Sequence, residues 1–75
     1  MQNYFFAGPD LVHWDLQLVR ADNRPHVRLT VTHSQGEIIE YFQSAEAALE
    51  REREIEDLLI AARSRGAQPD VAVLQ

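Results

Sequence analysis

The chain has 75 residues, no cysteine and a formal charge of −5. That length allows one domain with a thin core, because a chain this short buries only about 60% of the surface its unfolded form exposes. Without cysteine, disulfides and thiolate metal sites are excluded, which leaves compact packing or self-association to stabilise the fold.

Gln2 to Ala7 carries three aromatic residues and precedes the turn signal Gly8-Pro9-Asp10, which suits a short edge strand or an arm. From Leu11 to Arg20 the pattern alternates. Val12, Trp14, Leu16 and Leu18 share one side, and His13, Asp15 and Gln17 the other, the period of a half-buried strand. Ala21-Asp22-Asn23-Arg24-Pro25 reads as a five-residue loop built from turn formers. His26 to Thr32 alternates again with Val27, Leu29 and Val31 inward, so the two strands form a hairpin.

His33-Ser34-Gln35-Gly36 makes another turn before the strand Glu37 to Phe42. This strand is apolar on both sides. Ile38 and Phe42 point one way with Glu40, while Ile39 and Tyr41 point the other. An apolar patch on the open face of a small sheet marks a contact surface, unless the N-terminal aromatics or the C-terminal tail cover it.

Ser44 to Gly66 carries the signals of a helix. Ser44 can cap its first turn, Glu46 adds negative charge there, Arg63 and Arg65 suit the negative end of the dipole, and Gly66 can end it. At 100° per residue Ala48, Ile55, Leu59 and Ala62 form one stripe, with Leu58 beside it and Leu49 and Ile60 on a flank. The charged run Glu50 to Glu54 predicts that this half of the helix projects beyond the sheet or lies at its rim. Pairs such as Glu50 with Arg53, or Arg53 with Asp57, would add only about 0.2–0.5 kcal/mol each. Burial of Ile55, Leu58 and Leu59 is expected to hold the helix in place. Residues 67–75 read as a tail or a short terminal strand through Val71 to Leu74.

Little in the chain carries chemistry. His13, His26 and His33 lack the spacing of a zinc site, although His13 and His26 could meet across the hairpin beside Asp15. Ser34, a histidine and Asp22 could be written as a triad, but no nucleophile elbow surrounds the serine. Trp14 shares the parity of Val12, Leu16 and Leu18 and reads as core.

The acidic charge is spread out, with five acids against three arginines in Met1–Gln43 and six against four in Ser44–Gly66. No basic block is present to release phosphate counterions, which counts against nucleic acid and against an acidic membrane surface. All seven basic residues are arginine, a pattern read as composition bias. No apolar run reaches the roughly 20 residues of a membrane span. The N-terminus also lacks the pattern of a secretory leader, so a cytoplasmic location is expected.

The resulting expectation is an α+β domain over residues 1–66. An antiparallel meander of three to four strands is followed by one C-terminal helix packed on one face. The functional expectation is a non-enzymatic protein-interaction module without cofactor or metal, whose second apolar surface, Ile39, Tyr41, Leu49 and Ile60, recruits a second copy as a homodimer or another, unidentified protein. The alternative is a small single-stranded nucleic-acid-binding or regulatory protein that uses the open sheet face. The order of strands then helix loosely resembles the architecture of small single-strand-binding coactivators, a weak warrant for function.

Overall fold

The computed structural model describes residues 1–66. Four antiparallel strands, β1 (Gln2–Ala7), β2 (Asp10–Ala21), β3 (Arg24–His33) and β4 (Gly36–Phe42), lie in the order β1-β2-β3-β4. A single helix, α1 (Ala45–Gly66), follows and packs on one face of the sheet. The expected tail or terminal strand at 67–75 lies outside the described residues.

Tight turns set the register. Gly8, at φ +65°, and Pro9 connect Ala7 to its partner Asp10, so the N-terminal segment is a strand. A glycine at the first central position followed by proline matches a two-residue hairpin turn of the II′ kind. The next turn is shorter than the five residues expected. Asp22 and Asn23 both take positive φ, 53° and 62°, and Ala21 pairs directly with Arg24. That is the I′ geometry, whose twist matches the strands it joins and which Asp and Asn tolerate. Pro25 therefore falls inside β3, opposite Arg20. Its nitrogen points away from β2, and β4 ends at Phe42 opposite Val27, so no ladder bond is lost there.

The even-numbered residues of β2 face the helix, and the core follows from that parity. Ala7, Val12, Trp14, Leu16, Leu29 and Val31 from the sheet meet Ala48 and Ile55 from α1, with Phe5, Val27, Ile38, Phe42 and Leu59 packed around them. Ala48 is fully buried, and its small side chain lets the helix approach the sheet closely. Both ends of the helix are fixed. Ser44 caps the first turn, its Oγ accepting the Ala47 N–H at 3.1 Å. Near the other end the Arg63 Nε lies 3.5 Å from Asp10 Oδ2. A Cβ on Gly8 would stand 3.3 Å from the same Nε, so this turn leaves almost no room.

Three expectations about the helix side need correction. The charged run lies at the β4 rim of the sheet, not beyond it, and it is not wholly solvated: Arg51 forks onto Glu40 of the edge strand β4 at 3.0 and 3.3 Å, and Glu52 is only 6% exposed, on the same stripe as Ala48 and Ile55. Position on the helix outranks charge here, since Glu52 lies about 40° from Ala48 at 100° per residue. Leu58 is 61% exposed and does not anchor the helix. Leu18 has the core parity yet is 79% exposed, because among the described residues the core cluster under the helix does not extend over it. On the helix surface Arg51 pairs with Glu54 at 3.1 Å, and neither Glu50 nor Asp57 is in an ion pair among the described residues.

Leu29 and Leu18 make a direct test. Leu29→Ala should lower the urea-unfolding free energy by about 2–5 kcal/mol, the cost of deleting a fully buried leucine. Leu18→Ala should change it by about 0.5 kcal/mol or less, as for exposed positions.

Candidate functional site

No described residue packs over the face of the sheet turned away from the helix. Pairing places its side chains in rows: Tyr4, His13, Thr32 and Glu37 in one, Gln2, Asp15, Thr30 and Ile39 in the next, then Gln17, Arg28 and Tyr41. Phe6 and Leu11 pair beyond the first row. Five large apolar groups are exposed here: Tyr4 57%, Phe6 60%, Leu11 43%, Ile39 50% and Tyr41 55%.

The alternation of β4 explains why Ile39 and Tyr41 are exposed. Ile38 and Phe42 pack against the core on the helix side, which commits their neighbours to the open side. The N-terminal aromatics do not shield this patch; they form a second one on β1, at the opposite edge of the sheet. Tyr4 and Phe6 meet edge to face with ring centroids 6.1 Å apart, and Tyr4 lies 6.2 Å from the His13 ring across the ladder. Leu49 and Ile60 are exposed too, at 38% and 36%, but they belong to the helix, on the other side of the sheet. The four expected interaction residues therefore fall on two separate surfaces.

Tyr4, Phe6 and Leu11 were missing from the sequence expectation. Their signal was the Gly8-Pro9 turn: a two-residue connection pairs Ala7 with Asp10 and so puts Tyr4 beside His13 on the open face.

A polar band crosses the middle of the face. Arg28 donates to the Gln17 Oε1, and the Met1 ammonium lies 3.8 Å from Asp15 Oδ1. His13, Asp15, Arg28, Thr30 and Thr32 border a shallow depression of about 430 Å3. Among the side chains of this face, Asp15 and Glu37 stand against one guanidinium, Arg28.

The residues considered for chemistry are not brought together. His13 pairs with Thr32 and His26 with Val19, six residues further along the ladder, or about 20 Å at strand rise. Among the described residues no three His, Asp or Glu groups cluster as a metal site would. Ser34 and Asp22 sit in turns at opposite ends of β3. The Ser34 hydroxyl instead donates to Asp10 Oδ2 at 3.4 Å, and the His33 Nδ1 accepts the Gln35 N–H at 3.2 Å, so the imidazole does not bridge serine and carboxylate. No described helix is long and apolar enough to cross a membrane.

No family model, curated protein or solved structure matches this chain.

On the covered side, Glu52 is the one residue whose chemistry departs from the ordinary carboxylate range. Burial pushes its pKa up to about 7, helped by a hydrogen bond with Glu56 and by that residue's charge, while Arg53 opposes the shift. One of its oxygens, Oε2, is buried without a partner. The folded-state pKa lies above the ordinary 4.5, so the folded chain binds more protons than the unfolded chain between these values. The stability this group contributes is complete below the lower value and is lost as pH rises through the upper one. Glu52→Gln should therefore gain on the parent chain as pH rises from 5 to 8, by roughly 1–3 kcal/mol in urea-unfolding free energy. A constant difference across that range would contradict the assignment.

Proposed function

We propose that this protein is a non-enzymatic interaction module that works through the open sheet face and associates with itself as a homodimer. The observation that carries this reading is the set of five large apolar side chains exposed on a face that no part of residues 1–66 covers. They form two groups, Tyr4, Phe6 and Leu11 at the β1 side and Ile39 and Tyr41 on β4, flanking a polar middle, and exposed apolar groups of this size favour contact with a partner. The thin core supports the same reading, because small scaffolds without disulfide or metal gain stability from a partner chain.

Aromatic and polar groups on a sheet could also suit single-stranded nucleic acid, where bases stack on exposed rings and cations track the backbone. Tyr4, Phe6, Tyr41 and Arg28 supply the right residue types. The electrostatics oppose it: one guanidinium stands among Asp15 and Glu37 on a chain of charge −5, so phosphate neutralisation is weak.

Sedimentation equilibrium of the full chain should show a concentration-dependent dimer. The double variant Ile39→Ser, Tyr41→Ser should weaken association by about ten-fold or more, as loss of central apolar contacts does. Its thermal unfolding at dilute concentration should remain close to that of the parent. A strict monomer at all concentrations would remove the proposal. Fluorescent single-stranded oligonucleotide at low salt should show no saturable binding, and binding there would favour the nucleic-acid reading instead.

A further inference from the structure

We infer that β4 is a docking edge for an extended, basic peptide segment of another protein, which adds to the sheet as a fifth, antiparallel strand. The inference concerns the rim of the sheet rather than its open face, and it does not depend on self-association.

Backbone parity opens this edge. The Ser34-Gln35 turn closes on the pair His33 and Gly36, which in a two-residue hairpin exchanges both backbone hydrogen bonds. Alternation then makes Gly36, Ile38, Glu40 and Phe42 the residues that bond β3. It turns the N–H and C=O groups of Glu37, Ile39 and Tyr41 outward. Among the described residues none of these outward groups has a hydrogen-bond partner. The opposite edge is partly closed. Met1 and Leu16 exchange backbone bonds, which sets Tyr4 outward on β1, and there Asn3 Oδ1 accepts the Tyr4 N–H at 2.8 Å. β4 pairs over seven residues without a bulge and contains no lysine or proline to deter another strand. Its inward-facing charge, Glu40, is held by Arg51.

Side chains select the occupant. The residues with outward backbone are those whose side chains lie on the open face. A strand added here therefore sets alternate side chains beside Ile39 and Tyr41, while main-chain bonds supply the affinity. On the helix side it runs beside Ile38 and Glu40. Leu58 lies within about 20° of Arg51 around the helix, and Arg51 reaches β4, so this exposed leucine flanks the same edge. Charge completes the selection. Glu40 and Glu54 share one guanidinium, Arg51, and Glu37 receives only the Thr32 hydroxyl at 3.4 Å. The matching segment has apolar residues opposite Tyr41, Ile39 and Ile38 and cations opposite Glu40 and Glu37. A second copy of β4 would bring the same acids to both sides of the seam.

A fluorescent peptide of this pattern, TVRVVRT with an amidated end, tests the site on the full chain, diluted until it is monomeric. Its anisotropy should rise saturably. N-methylation of the central valine, placed opposite Ile39, should weaken binding by about ten-fold or more, because a backbone bond is lost while the side chains stay the same. Exchanging both peptide arginines for glutamate should cost a similar factor. Bound peptide should shift the amides of Glu37, Ile39 and Tyr41 more than those of Tyr4 and Phe6. Glu37→Pro, whose nitrogen lies outside the β3 ladder, should abolish binding, and Glu37→Gln should retain part of it. If Glu37→Pro fails to fold, the N-methylated peptide on the parent chain decides the matter. Equal binding of the N-methylated peptide, or no binding of either peptide, would overturn the inference and leave the self-association reading standing. In the dilute chain without peptide, the Glu37, Ile39 and Tyr41 amides should exchange freely with deuterium. Protection there would mean that another segment of the chain holds the edge, and protection that appears only with rising concentration would mean that a second copy does. Either result would overturn the assignment of the edge to a separate peptide.

Discussion

The fold depends on one seam: the stripe Ala48, Glu52, Ile55 and Leu59 of α1 laid against Trp14, Leu16, Leu29 and Val31 of the sheet. A four-stranded sheet has two faces and this chain has one described helix, so only one face can be dried this way. Burial on that seam contributes roughly 1.5–3 kcal/mol for each large apolar group fully covered. Fixing the two helix ends costs little beyond it. The Ser44 cap and the Arg63–Asp10 contact orient the rod rather than supply its driving force. Every property of the open face follows from the helix lying on the other side.

The seam contains its own weakness. Glu52 occupies a position on the apolar stripe, and its Oε2 is buried without a hydrogen-bond partner among the described residues, which is costly for a charged carboxylate. Burial raises its pKa to about 7, and Glu56 one turn along adds to the shift toward the protonated form. Two other acids of helix-facing parity lie toward the sheet's edges and meet guanidiniums, Glu40 with Arg51 and Asp10 with Arg63. Among the described residues Glu52 has no such partner, and burial favours its protonated form.

Much of this was legible in the residues. Period-two alternation assigned Val12, Trp14, Leu16, Leu29 and Val31 to the core, and the same parity split Ile38 from Ile39 and Phe42 from Tyr41. The cap at Ser44 was explicit in the sequence. What could not be read was wherever an answer depended on the end of a neighbouring element. Leu18 has the right parity but lies beyond the core cluster under the helix, and Leu58 lies beside the stripe but not under cover. Charge misled at Glu52, where angular position decided burial. Tyr4, Phe6 and Leu11 join Ile39 and Tyr41 only through register, and register came from a turn whose length had to be known to the residue. Leu49 and Ile60 looked equivalent to Ile39 as exposed apolar groups, but a sheet separates them.

Ile38 and Ile39 are adjacent in the chain and lie on opposite faces, one against the core and one in the open. Isoleucine methyl resonances followed by NMR from millimolar to micromolar protein read the two faces separately in the unmodified chain. The Ile39 methyl should move or broaden with concentration, while the Ile38 and Ile55 methyls keep their shifts. Concentration-independent Ile39 with a moving Ile60 would place association on the helix, and the account of a single uncovered working face would be wrong.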